Sequence, residues 1–239
     1  MTTIDFPTLI PKFDAILSRG LCQGVGNRDG QMCIEAAICA ALDLPHGDNP
    51  DCVSVAVRSF KITLNDAGWS SPEARAKGLR SLGIAQIGSK GVVDDVQFAT
   101  KVAEMTTSTL IPHLFRTVFP HDARCLLAAD GCEKLSPNAA AAARAAGAAA
   151  GAAGAAARAA GAAAGAADAA GYAAGAARAA GAARAADAAR AARAAGAAAD
   201  AARAAGAATQ QKDFYILMSA GIGLTVLQEL DSPGCNWIS

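Results

Sequence analysis

Residues 139–208 constrain this chain more than any other segment, because they contain almost nothing except alanine. The stretch has 49 Ala, 10 Gly, 7 Arg, 3 Asp and one Tyr, and it contains no Pro, Ser, Lys or Glu. A surface of methyl groups cannot supply the acids, bases and nucleophiles that a catalytic site needs. We therefore interpret residues 139–208, named the Ala/Gly tract, as a packing surface.

The start and the rhythm of the tract predict an α-helix. Alanine has the best helix propensity, and arginine is nearly as good. Ser136 can act as N-cap and Pro137 suits the first helical position. From Arg144 to Gly175, a series of interruptions recurs with alternating gaps of three and four residues, which places them on one helical stripe that faces a partner. From Arg178 to Gly196 the gaps are three, so the stripe turns around the helix.

The glycines of the tract indicate close helix packing. Each costs roughly 0.5–1 kcal/mol relative to Ala inside a helix, and pairs four residues apart match the small-xxx-small pattern of tightly packed helices. Drift among alanine codons, which reaches Gly and Asp by single base changes, is the alternative that the sequence leaves open. The predicted helix-packing interface consists of Gly147, Gly151, Gly154, Gly161, Gly165, Gly171 and Gly175.

The length of the tract predicts an arm. As one helix it would extend roughly 105 Å, whereas a compact domain of this chain length has a radius of gyration of about 18 Å. The tract therefore either folds back as a hairpin near residues 171–175 or projects as one long helix. A methyl surface buries little area per residue, so many repeated contacts are needed, and these favour packing against other copies of the chain.

Charge is divided unevenly between the tract and the rest of the chain. The tract has 7 Arg against 3 Asp, a net charge of +4, and the remainder has 14 Lys and Arg against 18 Asp and Glu, a net charge of −4. The two parts can attract each other. Seven Arg spread over the tract, without Lys or interleaved aromatic residues, are not a nucleic-acid-binding patch. Arg144, Arg158 and Asp168 exclude a membrane span of about 20 apolar residues.

The N-terminus and the cysteines indicate a cytoplasmic protein. MTTIDFPTL has neither the charged region nor the apolar region of a signal peptide. The number of cysteines is odd and no CxxC pair occurs, so a disulfide framework is not expected. We interpret the seven cysteines as reduced thiols.

Helix start signals recur in residues 1–135. Helices are predicted from Met32 to Leu44, after the Asn49-Pro50 cap, after Ser71-Pro72 and after Asp94, and Pro112 is expected to end or kink the last of these. No convincing alternating strand pattern occurs.

The segment after the tract predicts a buried helix. Residues 214–227 are apolar nearly all round, which is typical of a helix at the centre of a protein. Such a helix must return to the head to be covered. The sequence therefore predicts a helical head at residues 1–135, an Ala/Gly/Arg arm at residues 136–208 and a C-terminal helix within residues 209–239 that completes the head.

Cys33 is the candidate for a reactive group outside the tract. It lies near the start of a predicted helix, and helix N-termini lower the pKa of thiols. The stretch DGQMCIEAAICAAL, residues 29–42, resembles the cysteine-bearing helix start of papain-like peptidases, although it lacks their Gly and Trp flanks. The resemblance implies a nucleophilic thiol at Cys33, with His46, His113 or His121 as its base. A buried structural cysteine is the simpler interpretation.

Two further groups of residues have ligand-binding character. Cys33, Cys39, His46 and Cys52 carry zinc-ligating side chains, but intervals of five residues are not the tight spacing of zinc sites. The glycine-rich turn at residues 24–30 precedes a helix and could bind an anion, but it misses the dinucleotide fingerprint by one residue. The sequence therefore predicts no metal and no cofactor.

These observations predict an all-α protein with a discontinuous helical head domain and an inserted long Ala/Gly-rich helical arm or hairpin. The expected function is structural, with the arm packing closely against other helices to form a higher-order homo-oligomer. A cysteine-dependent hydrolase that uses Cys33 and a non-catalytic partner-binding adaptor are the alternatives.

Overall fold

Helices form all the regular secondary structure in the part of the chain that the structure describes. The computed structural model describes residues 4–118, 120–121, 123–133 and 209–238. The seven predicted interface glycines and both predicted ends of the arm lie outside these ranges. Within them, β-type pairing is limited to isolated bridges that join Met32 to Leu21 and to Gly26. The all-α prediction is confirmed for this part of the chain.

Eight α-helices and two short helices of other types are described. A π-helix spans Thr106–Leu110 and a 3-10 helix spans Pro233–Trp237. The α-helices are α1 (Phe6–Leu17), α2 (Ile34–Ala41), α3 (Val55–Asn65), α4 (Pro72–Ala85), α5 (Asp95–Met105), α6 (Ile111–Val118), α7 (Ala123–Glu133) and α8 (Thr209–Glu229).

Two of the predicted helix starts are in place. Ser71 is the N-cap of α4, and its hydroxyl oxygen accepts a hydrogen bond from the amide of Ala74 at 3.1 Å. The Asp94 carboxylate caps α5 by accepting a hydrogen bond from the amide of Gln97 at 2.8 Å. In both cases a side-chain oxygen satisfies an amide that has no partner within the helix.

The predicted helix start at Asn49-Pro50 is wrong. The helix begins at Val55, with Ser54 as the flanking residue. Tertiary hydrogen bonds explain the shift, because the amide of Lys90 donates to the carbonyl oxygen of Cys52 at 3.1 Å. The amide of Ser54 donates to the hydroxyl of Ser89 at 2.9 Å. These bonds hold the segment before α3 against the loop that follows α4.

Pro112 does not end the helix in which it was predicted to lie. Instead, α5 passes through the π-helix into α6, and Pro112 occupies the first turn of α6. Proline has no amide to donate to the carbonyl four residues earlier. The wider π turn directly before it accommodates this missing bond within a continuing helical segment.

The helix after the tract is central, but it is not covered on every side. α8 packs against α3, α4 and α5, and Tyr215, Ile216 and Val226 are buried. Phe214 and Leu217, however, are each 46% exposed. The expectation of a helix buried all round is therefore wrong for one face of α8. No helix in the described ranges combines the length and apolar character that crossing a bilayer requires.

The C-terminal segment after α8 closes the bundle against α4 and α1. The hydroxyl of Ser232 donates to the carbonyl oxygen of Ala85 at 2.5 Å. The amide of Gly234 donates to the carbonyl oxygen of Ile87 at 3.1 Å. The rings of Trp237 and Phe6 stack with their centroids 5.2 Å apart. The two ends of the described chain are thus joined in one helical bundle.

Candidate functional site

Cys33 is a buried capping group in the structure. Its side chain is 4% exposed, and its sulfur accepts a hydrogen bond from the amide of Ala36 at 3.3 Å, which caps α2. Burial raises the pKa of the Cys33 thiol to about 11, and the nearby Glu35 carboxylate also raises it. The thiol is therefore protonated at neutral pH, although a helix N-terminus favours the thiolate. This environment does not support a nucleophile.

Two of the candidate histidine bases have other neighbours. The His46 Nε2 lies 3.2 Å from the carbonyl oxygen of Gly26. The ring of His113 packs against the ring of Phe214, with 5.3 Å between the centroids. The structure therefore pairs these two rings with groups other than the Cys33 thiol.

The glycine-rich turn before α2 is occupied by protein groups. Gly24 and Gly26 have φ angles of +62° and +72°, a conformation that favours glycine. The amide of Gly24 donates to the Asp66 carboxylate at 2.9 Å, and the amide of Cys33 donates to the carbonyl oxygen of Val25 at 3.2 Å. Because the Asp66 carboxylate already accepts a hydrogen bond from this turn, its negative charge disfavours the binding of another anion there.

No zinc-like cluster forms among the residues described. In these ranges, no three His, Cys, Asp or Glu side chains come together in a way that could hold a metal ion. Cys33, directly before α2, and Cys39, within α2, are both buried. Cys52 is half-buried in the segment before α3.

A buried ion pair that no pattern in the sequence indicated joins α2 to α3. The Lys61 Nζ lies 3.0 Å from the Glu35 Oε1, and both side chains are completely buried. The Gln86 amide, just after α4, donates to the other carboxylate oxygen at 3.0 Å. Burial raises the pKa of Glu35 and lowers the pKa of Lys61, while each partner's charge counteracts these shifts. Because solvent does not reach the cluster, we assign it a structural role.

An open groove of about 430 Å³ runs between α4 and α8. Five residues of α4 line one side of the groove. Three of them are small (Ala74, Gly78 and Ser81), and the other two are Lys77 and Leu82. A methyl group at Gly78 would overlap the Trp69 indole and come within 2.9 Å of Leu217. The glycine therefore allows these two large side chains to cross α4 closely.

A polar contact and a tryptophan close one end of the groove. The Asp213 carboxylate accepts hydrogen bonds from the Ser70 amide at 2.9 Å and from the Ser70 hydroxyl. Trp69 is 8% exposed, and its indole N–H donates to the carbonyl oxygen of Leu64 at 2.9 Å. These contacts tie the start of α8 to the loop before α4, and they hold Trp69 as a packing anchor.

The exposed face of α8 continues from this groove as a stripe of apolar and small residues. Phe214, Leu217, Gly221 and Leu224, named the α8 stripe, are separated by three, four and three residues. The place where a side chain would extend from Gly221 has no atom within 4 Å. A helix that presents residues at this spacing has the geometry to receive a second helix. The sequence contains this spacing, but residues 214–227 are apolar on nearly all sides of the helix, so the sequence alone does not indicate which face is exposed.

Comparison with protein-family models, with curated proteins and with solved structures gives no match for this chain.

Proposed function

We propose that this chain is a structural protein that self-associates into a homo-oligomer through its Ala/Gly tract. The main observation behind this proposal is that the Ala/Gly tract and the helix after it share one spacing of residues that is typical of helix packing. Gaps of three and four residues alternate from Arg144 to Gly175 in the tract, and they recur in the α8 stripe. The α8 stripe is exposed at Phe214 and Leu217, which leaves it accessible to another helix.

Contacts made by α6 support the proposal that the tract is an insertion in one helical head. Arg116 forms ion pairs with Glu133, the last residue of α7, and with Asp130 at 2.7 Å. One turn earlier, His113 packs against Phe214 near the start of α8. The described segments that flank the tract thus contact neighbouring positions of one helix. An arm or hairpin inserted between two parts of the head needs this proximity.

The thiols and charges of the chain fit an assembly in a reducing compartment. Six of the seven cysteines are described as free thiols, as we expect of a cytoplasmic protein. The +4 charge of the tract and the −4 charge of the remainder favour contact between tract and head.

The molar mass of the full chain in solution tests the proposal. Light scattering coupled to size-exclusion chromatography is expected to give a multiple of 23.7 kDa. Gly151→Leu and Gly161→Leu are expected to reduce assembly or solubility, because a large side chain keeps helix backbones apart. Gly→Ala at the same positions is the matched control and should have a mild effect. A mass of 23.7 kDa at every concentration would contradict self-association.

A partner-binding adaptor is the second candidate, and the open groove between α4 and α8 favours it. Amphipathic helices from other proteins bind in apolar grooves of this kind. An adaptor would remain a monomer with its groove free until the partner is added. The mass measurement therefore separates the two candidates.

A further inference from the structure

We infer that the groove between α4 and α8 is the site that receives the Ala/Gly tract of a second copy of the chain. This inference rests on the proposed self-association and adds the surface on which it occurs. The groove, with the adjoining α8 stripe, is the docking surface. A stretch of about a dozen residues within 147–175, which contain the alternating interruptions, would occupy it.

The side chains of the groove match a thin helix better than a bulky one. The groove is lined by Ala74 and Ser81 from α4 and by Ala220 and Gly221 from α8, while Trp69 and Leu217 cover Gly78. Small residues on both partners let two helix backbones approach closely, as in small-xxx-small contacts. A tract of Ala and Gly presents this surface along its length, whereas a helix rich in Leu or Phe needs deeper pockets for its side chains.

The alternating spacing provides a register between the two surfaces. In helix pairs with this repeat, each projecting residue enters a hole formed by residues of the facing helix. Leu217 and Leu224 line the groove from α8, and Gly221 between them leaves open space. A glycine stripe on the tract offers room for the two leucines, and the alanines beside it can cover Gly221. Bulky and small positions are therefore complementary across the contact.

The position of the tract in the chain favours a second copy over the same molecule. The tract ends at residue 208, directly before α8, and Asp213 at the start of α8 lines one end of the groove. The groove follows α8 from Asp213 to Leu224, a length of roughly 17 Å. Residues 147–175 would reach the groove of their own copy only if the chain reversed direction between residue 175 and the start of α8. The tract of another copy needs no such turn.

Blocking the groove in the full chain tests the inference. Gly221→Leu places a large side chain in the open space of the groove, and leucine also has the better helix propensity. Gly131→Leu is the matched control, because Gly131 lies on α7 and a Cβ added there likewise meets no atom within 4 Å. In sedimentation velocity, Gly221→Leu is expected to be monomeric at concentrations at which the wild type and Gly131→Leu are assembled.

A second groove variant protects the test against a folding defect. Leu217→Lys changes a side chain that is 46% exposed, so the new ammonium group can remain in solvent. The variant nevertheless adds a positive charge to the docking surface. Circular dichroism and a cooperative thermal transition check folding. If either folded variant assembles like the wild type, the groove is not the docking surface. Self-association itself would then still stand, whereas a monomeric wild type would overturn the proposed function as well.

A mixing experiment identifies the occupant. Gly221→Leu has a blocked groove and an unchanged tract. The double variant Gly151→Leu/Gly161→Leu has an altered tract and an unchanged groove. Each alone is expected to be monomeric, and an equimolar mixture is expected to form a one-to-one complex, because one tract can enter one groove. If both are monomeric and the mixture contains no complex, the tract does not dock on a second copy and the inference is wrong.

Discussion

Glu35 and Lys61 form an ion pair with 3.0 Å between the Glu35 Oε1 and the Lys61 Nζ, and both side chains are completely shielded from solvent. Removing each charge from water costs on the order of several kcal/mol, which the attraction between the two charges must offset. The pair is therefore sensitive to the loss of one member. It joins α2 to α3, and Gln86 extends it to the end of α4, so its state affects three helices together.

Replacement of one partner is expected to destabilise the protein strongly. Lys61→Met leaves the Glu35 carboxylate buried without its cation, and we expect the free energy of unfolding to fall by about 3–5 kcal/mol. In Glu35→Gln/Lys61→Met the loss should be smaller, since no buried charge remains and the introduced amide oxygen can still accept the bond from Gln86. Urea unfolding monitored by circular dichroism measures both values.

An exposed ion pair provides the control for this prediction. The Lys101 Nζ and the Glu229 Oε2 are 2.6 Å apart, and the two side chains are 40% and 45% exposed. Lys101→Met should cost no more than about 1 kcal/mol, because solvent screens the pair. Equal losses for Lys61→Met and Lys101→Met would contradict the structural role of the buried cluster.

Cys33 is expected to react slowly with iodoacetamide in the folded protein at neutral pH. Its thiol is buried, and the pKa is raised to about 11, so little thiolate is present. Burial also raises the pKa of Cys235 to about 11, but Cys22 and Cys235 are only half-buried and should be labelled earlier because the reagent can reach them. Mass spectrometry of peptides from timed samples gives the order of reaction. Labelling of Cys33 ahead of both would restore the cysteine-hydrolase alternative.

The same thiol predicts a loss of stability at alkaline pH. The folded pKa of Cys33 is about 11 and the ordinary value is 9.0. The folded state therefore binds more protons than the unfolded state between these values. The contribution of Cys33 is fully present below pH 9.0 and is lost as the pH rises through 11. By about pH 10.5 the loss should amount to about 2 kcal/mol.

Unfolding in urea at about pH 8 and about pH 10.5 measures this loss. The decrease in the free energy of unfolding between the two conditions should be smaller for Cys33→Ala than for the wild type. Equal decreases would refute the assignment of the alkaline loss to this thiol.

Two glycines of α8 should respond oppositely to alanine. At Gly223 a methyl group would overlap the ring of Phe60, which packs edge-on against Phe98 with 5.8 Å between centroids. Gly223→Ala should therefore destabilise the fold by about 1–3 kcal/mol. At Gly221 the added methyl meets no atom within 4 Å, so Gly221→Ala should stabilise by roughly 0.5–1 kcal/mol through helix propensity. Thermal unfolding of both variants measures the difference. Stabilisation by both would show that Phe60 can move aside, and destabilisation by both would contradict the open space at Gly221.

Local signals in the sequence predicted several helices because they act within one turn. Ser71 and Asp94 cap α4 and α5 through bonds to amides three residues later, so residue type and spacing are enough. The helix after the tract was predicted from its continuous apolar residues. The start of α3 was misplaced because bonds from Ser54 to Ser89 and from Lys90 to Cys52 overrode a local cap signal.

By itself, the sequence determined the helical character of the described residues and several helix starts, since these depend on propensity and spacing along the chain, and its composition marks the Ala/Gly tract as distinct from the rest. Only the tertiary structure decided that Cys33 is a buried cap, that Glu35 meets Lys61, and that Leu217 and Gly221 face an open groove. Each of these depends on which helices become neighbours. A residue's burial and electrostatic environment come from contacts far away in sequence, and no local pattern in the chain specifies them.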